Sequence, residues 1–387
     1  MARWPVYPVT VVGSWPRPAW LLQARKRHDP ELATLEDRAT REAIRAQEEA
    51  GVDIVSDGEQ RRDNFYSFLC DRLEGMRLMT MADLLDHVED KAGFEAMLQA
   101  LDVPAWAIKN PTVVGPLRAR RPLVLEDLRF LRQHTKRAAK VTLPGPYLLG
   151  RSTWVKGLSE GAYPTRESLA DDIVRLLRDE LRALATEGVE LVQFDEPVLT
   201  ELVFAGKSAT RTFMCAALAA RSSPEEELEL AVSLLNRVVE GVSGPVTALH
   251  VCRGNWSRNE GVLLEGPYDA LVPHLRRIRV RQFVLEYATP RAGSLEALRA
   301  LPADAQVGLG VVNPRTSEVE EPAAIVARVR EAERHVGADR LFLNPDCGFA
   351  TFSERAVATA EVASRKMRAL AEAAGLLRKG VRTRGGS

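Results

Sequence analysis

The chain has 387 residues, 45% of them hydrophobic, with 53 basic and 53 acidic side chains. That length fits two average domains or one large α/β barrel with an insertion, and the balanced charge excludes an electrostatic grip on nucleic acid or an anionic membrane. No apolar run is long enough to cross a bilayer, Met1-Ala2-Arg3-Trp4-Pro5 lacks a secretory apolar core, and four cysteines are too few for a disulfide framework, so a cytoplasmic chain is expected.

Short β-type runs alternate with longer helical patterns from the N-terminus onward. The first two strands are expected at 8–14 and 52–57. The gap that follows, up to residue 139, is too long for an ordinary βα connection. It carries helical patterns around 63–75 and 80–101, a strand pair at 111–124 and a helix at 125–138, read as an insertion at about 60–138 that caps part of a barrel mouth. Six further strands are expected at 139–144, 189–195, 246–252, 282–287, 305–311 and 340–345. Between them, residues 167–187 place Leu169, Ile173, Leu176, Leu177, Leu181 and Leu184 on one helical stripe, and Gly188 stops the helix. The last helix is expected from about Ser353 to Ala374, ending at Gly375 and leaving 378–387 as a frayed tail beyond a unit spanning 1–377. Eight strands alternating with helices give an α/β chain of the (β/α)8 TIM-barrel class, with the insertion between the second and third barrel strands. No G-x-G-x-x-G follows the first strand, which argues against a dinucleotide fold.

His250-Val251-Cys252 closes one of these strands, and side chains at i and i+2 of a strand share a face, so both can reach one metal ion. Glu286 ends the run Gln282-Phe283-Val284-Leu285, and Cys347 follows Asn344-Pro345-Asp346. One nitrogen, two thiolates and one carboxylate suit tetrahedral zinc, and the displaceable carboxylate suits a catalytic rather than a structural ion. Taken alone, His-x-Cys is more often core than ligand. In a parallel barrel, however, all four residues fall at strand C-termini, which converge on one rim. Cys70 and Cys215, in apolar helix-like contexts, read as plain core residues. Other strand ends are polar as well: Gly13-Ser14, Asp57-Gly58-Glu59 and Asp195-Glu196-Pro197. Each of these singly is a turn or a cap; together they line most of one rim.

In that combination the chain resembles the cobalamin-independent methionine synthases. The matching stretches are Val12-Gly13-Ser14, Asp57-Gly58-Glu59, Phe194-Asp195-Glu196-Pro197, His250-Val251-Cys252-Arg253-Gly254-Asn255, Leu285-Glu286 and Asn344-Pro345-Asp346-Cys347-Gly348-Phe349, in family order. The resemblance implies a zinc barrel that transfers a methyl group to a thiol, most simply homocysteine. It implies zinc on His250, Cys252, Glu286 and Cys347, with the amino acid held by Gly13, Ser14, Glu59 and Asp195. The methyl donor so implied is a methyl-folate or a methyl-corrinoid protein.

The chain also departs from the family. Long members carry two barrels, whereas this chain has room for one. The histidine proposed in the family as proton donor falls at about Arg315, and a guanidinium does not give up its proton. The tryptophan expected after Gly145-Pro146 is displaced, to Trp154; Trp15, Trp154 and Trp256 stand near the mouth, either as pocket walls or as packing. Single-barrel relatives that join coenzyme M to an epoxide are also similar, and a non-catalytic zinc-binding barrel is the reading of a different class.

Overall fold

Strands such as Leu191-Val192-Gln193-Phe194-Asp195 are buried at every position, the mark of a parallel strand covered on both faces. In the computed structural model, which describes residues 4–87, 91, 95, 109–204 and 223–384, seven such strands form one parallel sheet. They are β1 (Ile54–Val55), β4 (Ala138–Pro144), β5 (Leu191–Asp195), β6 (Val246–Val251), β7 (Gln282–Glu286), β8 (Gln306–Val312) and β9 (Leu341–Pro345), side by side in that order. β2 (Leu73–Thr80) and β3 (Lys109–Ala119) make a separate antiparallel pair.

The sheet is curled and TIM-barrel-like. Its two edges meet the same segment, because Val9 bridges Leu343 of β9 while Thr10 bridges Ile54 of β1. The strand expected at 8–14 is therefore reduced to two bridging residues. Pro8 has no N–H to give, and beyond Val11 the backbone turns away: Trp15 N donates to Gly58 O at 2.9 Å, and Ser14 O accepts from Phe349 N at 2.9 Å. The strand expected at 52–57 shortens to two residues for a related reason. Gly58 and Glu59 both adopt positive φ, at 65° and 54°, and Asp57 Oδ1 accepts from Glu59 N at 3.0 Å.

Between β1 and β4 the sequence reading is corrected in part. The helix expected around 63–75 is reduced to the single turn Leu69–Arg72, and Leu73–Thr80 is a strand. A bulge between Glu74 and Met76, at Gly75 with φ 81°, adds one residue to the strand, so the buried Leu73 and Met76 stand three apart, as they would on a helix. The expected pair at 111–124 is one strand, β3, whose partner is β2. Most of the helix expected at 80–101 lies outside the described residues, as does Cys215. The helix Leu125–His134 is present.

The helix expected at 167–187 runs Arg166–Thr186, opened by a Thr165/Ser168 capping box, with Leu169, Ile173, Leu176, Leu177, Leu181 and Leu184 all buried. The last helix runs Ala360–Arg384, through Gly375, so the tail expected from 378 is helical as far as Arg384, beyond which it lies outside the described residues. An interior glycine costs about 1 kcal/mol relative to alanine, too little to end a helix that packs well. Arg378 holds that helix down, donating to Val6 O at 2.9 Å and Tyr7 O at 3.0 Å and pairing with Asp53. Among the described residues no helix is long and apolar enough to cross a membrane.

Two apolar clusters position the site. The larger lies between the sheet and its surrounding helices. The smaller, Val12, Ile54, Leu191, Ala248, Val284 and Phe342, fills the inside of the curl. It acts as a floor, above which the C-terminal strand ends carry polar side chains.

Candidate metal centre and amino-acid pocket

The register of β5 against β6 sets Asp195 directly beside His250. Asp195 Oδ1 lies 2.9 Å from His250 Nδ1 and also accepts from Gln193 Nε2 at 2.7 Å. That contact fixes the ring so that Nε2 faces the site, where it is buried with no hydrogen-bond partner. Cys252, two residues on, and Cys347, two residues past β9, bring their sulfurs to the same place. One donor atom from each of His250, Cys252 and Cys347 lies within 4.8 Å of the others, all three residues being buried. An orphaned imidazole nitrogen facing two thiols is a donor set that fits zinc. The Cys252 thiol holds its proton tightly here: a hydrogen bond with Cys347 and burial push it well above the ordinary range. Burial opposes the charged form of His250, but Cys252 and Asp195 push it up to about 10.

Glu286, expected as a fourth ligand, stands apart from this trio. Its carboxylate accepts from Asn255 Nδ2 at 2.8 Å and from Arg253 Nη1 at 3.1 Å, with Arg291 Nη2 at 3.5 Å. Burial raises its pKa, but Arg291 and Arg253 more than offset that and hold it below the usual range. Arg315 belongs to the same network: its Nε donates to Asn255 Oδ1 at 2.9 Å and its Nη2 pairs with Glu260 at 2.5 Å. It is a buried scaffold cation.

The three donors open into a cleft also lined by Gly13, Ser14, Glu59, Asp195 and Gly348, with Phe65, Trp256 and Phe352 forming apolar walls. Glu59 Oε1 accepts from Thr142 Oγ1 at 2.8 Å and lies 3.7 Å from Arg62 Nη1, whereas its buried Oε2 has no partner. Burial raises the Glu59 pKa, and Arg62 opposes the rise. Gly13 is required at its place because a Cβ there would collide with Glu59 Oε1, and a Cβ on Gly348 would collide with Ser14 Oγ. The cleft thus pairs soft metal donors with an unsatisfied carboxylate oxygen.

Over residues 7–373 the chain matches the catalytic domain of the cobalamin-independent synthases. It belongs to that family. The methionine synthase of Thermococcus kodakarensis is 27% identical over 363 residues, covering 91% of this chain and 89% of that protein. That of Pyrococcus horikoshii is 28% identical over 357 residues, covering 89% and 86%. A solved B12-independent methionine synthase from Shewanella sp. W3-18-1, in complex with selenomethionine, superposes with a TM-score of 0.73 at 25% identity, covering 98% of this chain and 99% of that one.

Of the synthase-type residues named from sequence, the structure brings Gly13, Ser14, Glu59, Asp195, His250, Cys252 and Cys347 into one cleft and leaves Glu286 and Arg315 outside its lining. Of the three tryptophans, Trp256 lines the cleft, Trp15 packs edge-on against Phe349 and Trp154 donates to Tyr163 O. Sequence reasoning missed Thr142, Gln193 and Arg291. Thr142 and Gln193 carried a signal, being polar positions within otherwise apolar strands. Arg291, in a turn after Pro290, carried none.

Proposed function

We propose that this chain transfers a methyl group to the sulfur of homocysteine, giving methionine, with zinc held by His250, Cys252 and Cys347. The observation that carries this reading is the single cleft in which those three donors face Glu59, Asp195 and the Gly13–Ser14 turn. Bound there, zinc would supply the positive charge that keeps a thiol, whose free pKa is about 8.5, as thiolate at neutral pH.

The chain's own residues do the rest. Asp195 orients His250. The free Glu59 Oε2 accepts from the substrate ammonium, and Thr142 and Arg62 hold that carboxylate in place. Backbone N–H groups at Gly13 and Ser14 receive the substrate carboxylate. Phe65, Trp256 and Phe352 exclude water on the side from which the donor, a methyl-folate or a methyl-corrinoid protein, approaches. Glu286 enters this reading as a carboxylate held in reserve by Arg253, Arg291 and Asn255.

Coenzyme M as the acceptor is disfavoured, because its sulfonate would lie against two carboxylates. A non-catalytic zinc barrel leaves the unpartnered Glu59 oxygen and the cleft without a purpose. The test is calorimetry of homocysteine and of coenzyme M on zinc-loaded protein, followed by assay for methionine with each donor. Homocysteine is expected to bind and coenzyme M to bind weakly or not at all. Preference for coenzyme M would overturn the reading.

A further inference from the structure

Two guanidiniums beside the cleft exceed what a scaffold requires. Arg291 and Arg315 are buried, at 8% and 3% exposure, and both donate to Asn255 Oδ1, from Nη2 at 3.1 Å and from Nε at 2.9 Å. The shared acceptor keeps the two side chains together. Both also face Glu260: Arg315 Nη2 lies 2.5 Å from its Oε1, and Arg291 Nε lies 3.8 Å from its Oε2. Neither nitrogen makes a well-aligned hydrogen bond among the described residues, although both are buried. An unmet buried donor is costly, and so marks a place suited to an acceptor.

Glu260 fills that place loosely. It stands on the short turn Glu260–Val262, and its side chain is 55% exposed against 6% and 1% for Arg291 and Arg315. An exposed carboxylate gains little from an ion pair and can swing into water, whereas the buried arginines stay. Asn255, which joins the arginines, lines the cleft together with Trp256, on the wall assigned above to the approach of the methyl donor. The Gly13–Ser14 turn already serves the carboxylate of the acceptor, so a second anion site falls to the donor.

We infer that Arg291 and Arg315 form an oxyanion site beside the cleft, closed by Glu260, which takes a carboxylate or phosphate group of the methyl donor when Glu260 swings out. This rests on the methyl-transfer reading given above. Either group presents paired oxygens that match the fork of a guanidinium.

The experiment titrates zinc-loaded wild type, Glu260→Gln, Glu260→Gln/Arg315→Met and Glu318→Gln with inorganic phosphate and with glutarate, by calorimetry. Removing the competing carboxylate in Glu260→Gln should tighten binding of at least one anion by about fivefold, the upper range for an exposed ion pair. Removing Arg315 as well should weaken it by roughly tenfold or more, as for the loss of a charge-assisted hydrogen bond. Glu318→Gln drops the same charge from an exposed residue and should change nothing. Whichever anion binds more tightly names the group on the donor. Homocysteine affinity should be the same with and without saturating anion.

Equal anion affinity in wild type and Glu260→Gln, or an equal gain in Glu318→Gln, overturns the site, and this comparison decides alone if the double variant does not fold. Competition between the anion and homocysteine puts the anion on the metal or in the acceptor pocket and overturns it too. The expected anion pattern in a protein that does not bind homocysteine overturns the methyl-transfer reading and the assignment to a donor, leaving an anion site of another purpose.

Discussion

Removing the Asp195 carboxylate tests the link between the metal donors and the amino-acid pocket. Asp195 is 7% exposed, and its Oδ1 is shared by His250 Nδ1 at 2.9 Å and Gln193 Nε2 at 2.7 Å. In Asp195→Ala both nitrogens lose their acceptor in a buried setting, and the His250 ring loses what orients Nε2 toward the thiols. Loss of a partner that orients a histidine ligand typically weakens metal binding by about 10- to 100-fold, or ~1.4–2.8 kcal/mol. Asp195→Asn keeps an oxygen able to accept from His250 and loses the charge. Its metal affinity should fall less, while homocysteine affinity falls by roughly 1–3 kcal/mol, the cost of one charge-assisted hydrogen bond. The assay is zinc competition against a chromogenic chelator, with homocysteine calorimetry on the same samples. Zinc affinity of Asp195→Ala within twofold of wild type would refute the coupling of Asp195 to His250.

Cys252→Ser and Cys347→Ser should each lose most bound zinc by elemental analysis while keeping a near-native circular dichroism spectrum, because the large core around the sheet does not depend on the site. Gly13→Ala should push Glu59 aside, weakening homocysteine binding in calorimetry and leaving zinc content unchanged. Glu196, whose oxygens accept from Tyr147 N at 2.7 Å and Leu148 N at 2.9 Å, is pushed by burial from 4.5 up to about 8. Between those values the folded chain keeps a proton that the unfolded chain has lost, so this group makes stability fall as pH rises through the window. Glu196→Gln should flatten that fall in urea titrations at pH 5 to 8, and an unchanged slope would remove Glu196 as its source.

The alternation of strands and helices, and the residue types at strand ends, could be read from the sequence because both are local. A run such as 191–195 is apolar since both its faces are covered, and His250 and Cys252 share a face through strand geometry alone. The helix Arg166–Thr186 was equally legible from its stripe and stop. What the sequence hid depends on neighbours far along the chain. The bulge at Gly75 spaces Leu73 and Met76 as a helix would, and the partner of the strand Leu73–Thr80 begins only at Lys109. The helix through Gly375 persists because Arg378 finds Val6, Tyr7 and Asp53 more than 300 residues earlier. Glu286 sits at the expected strand end, yet Arg253, Arg291 and Asn255 set where its carboxylate points. Spacing along one strand determines which face a side chain occupies; only packing between strands and loops determines which partner it meets there.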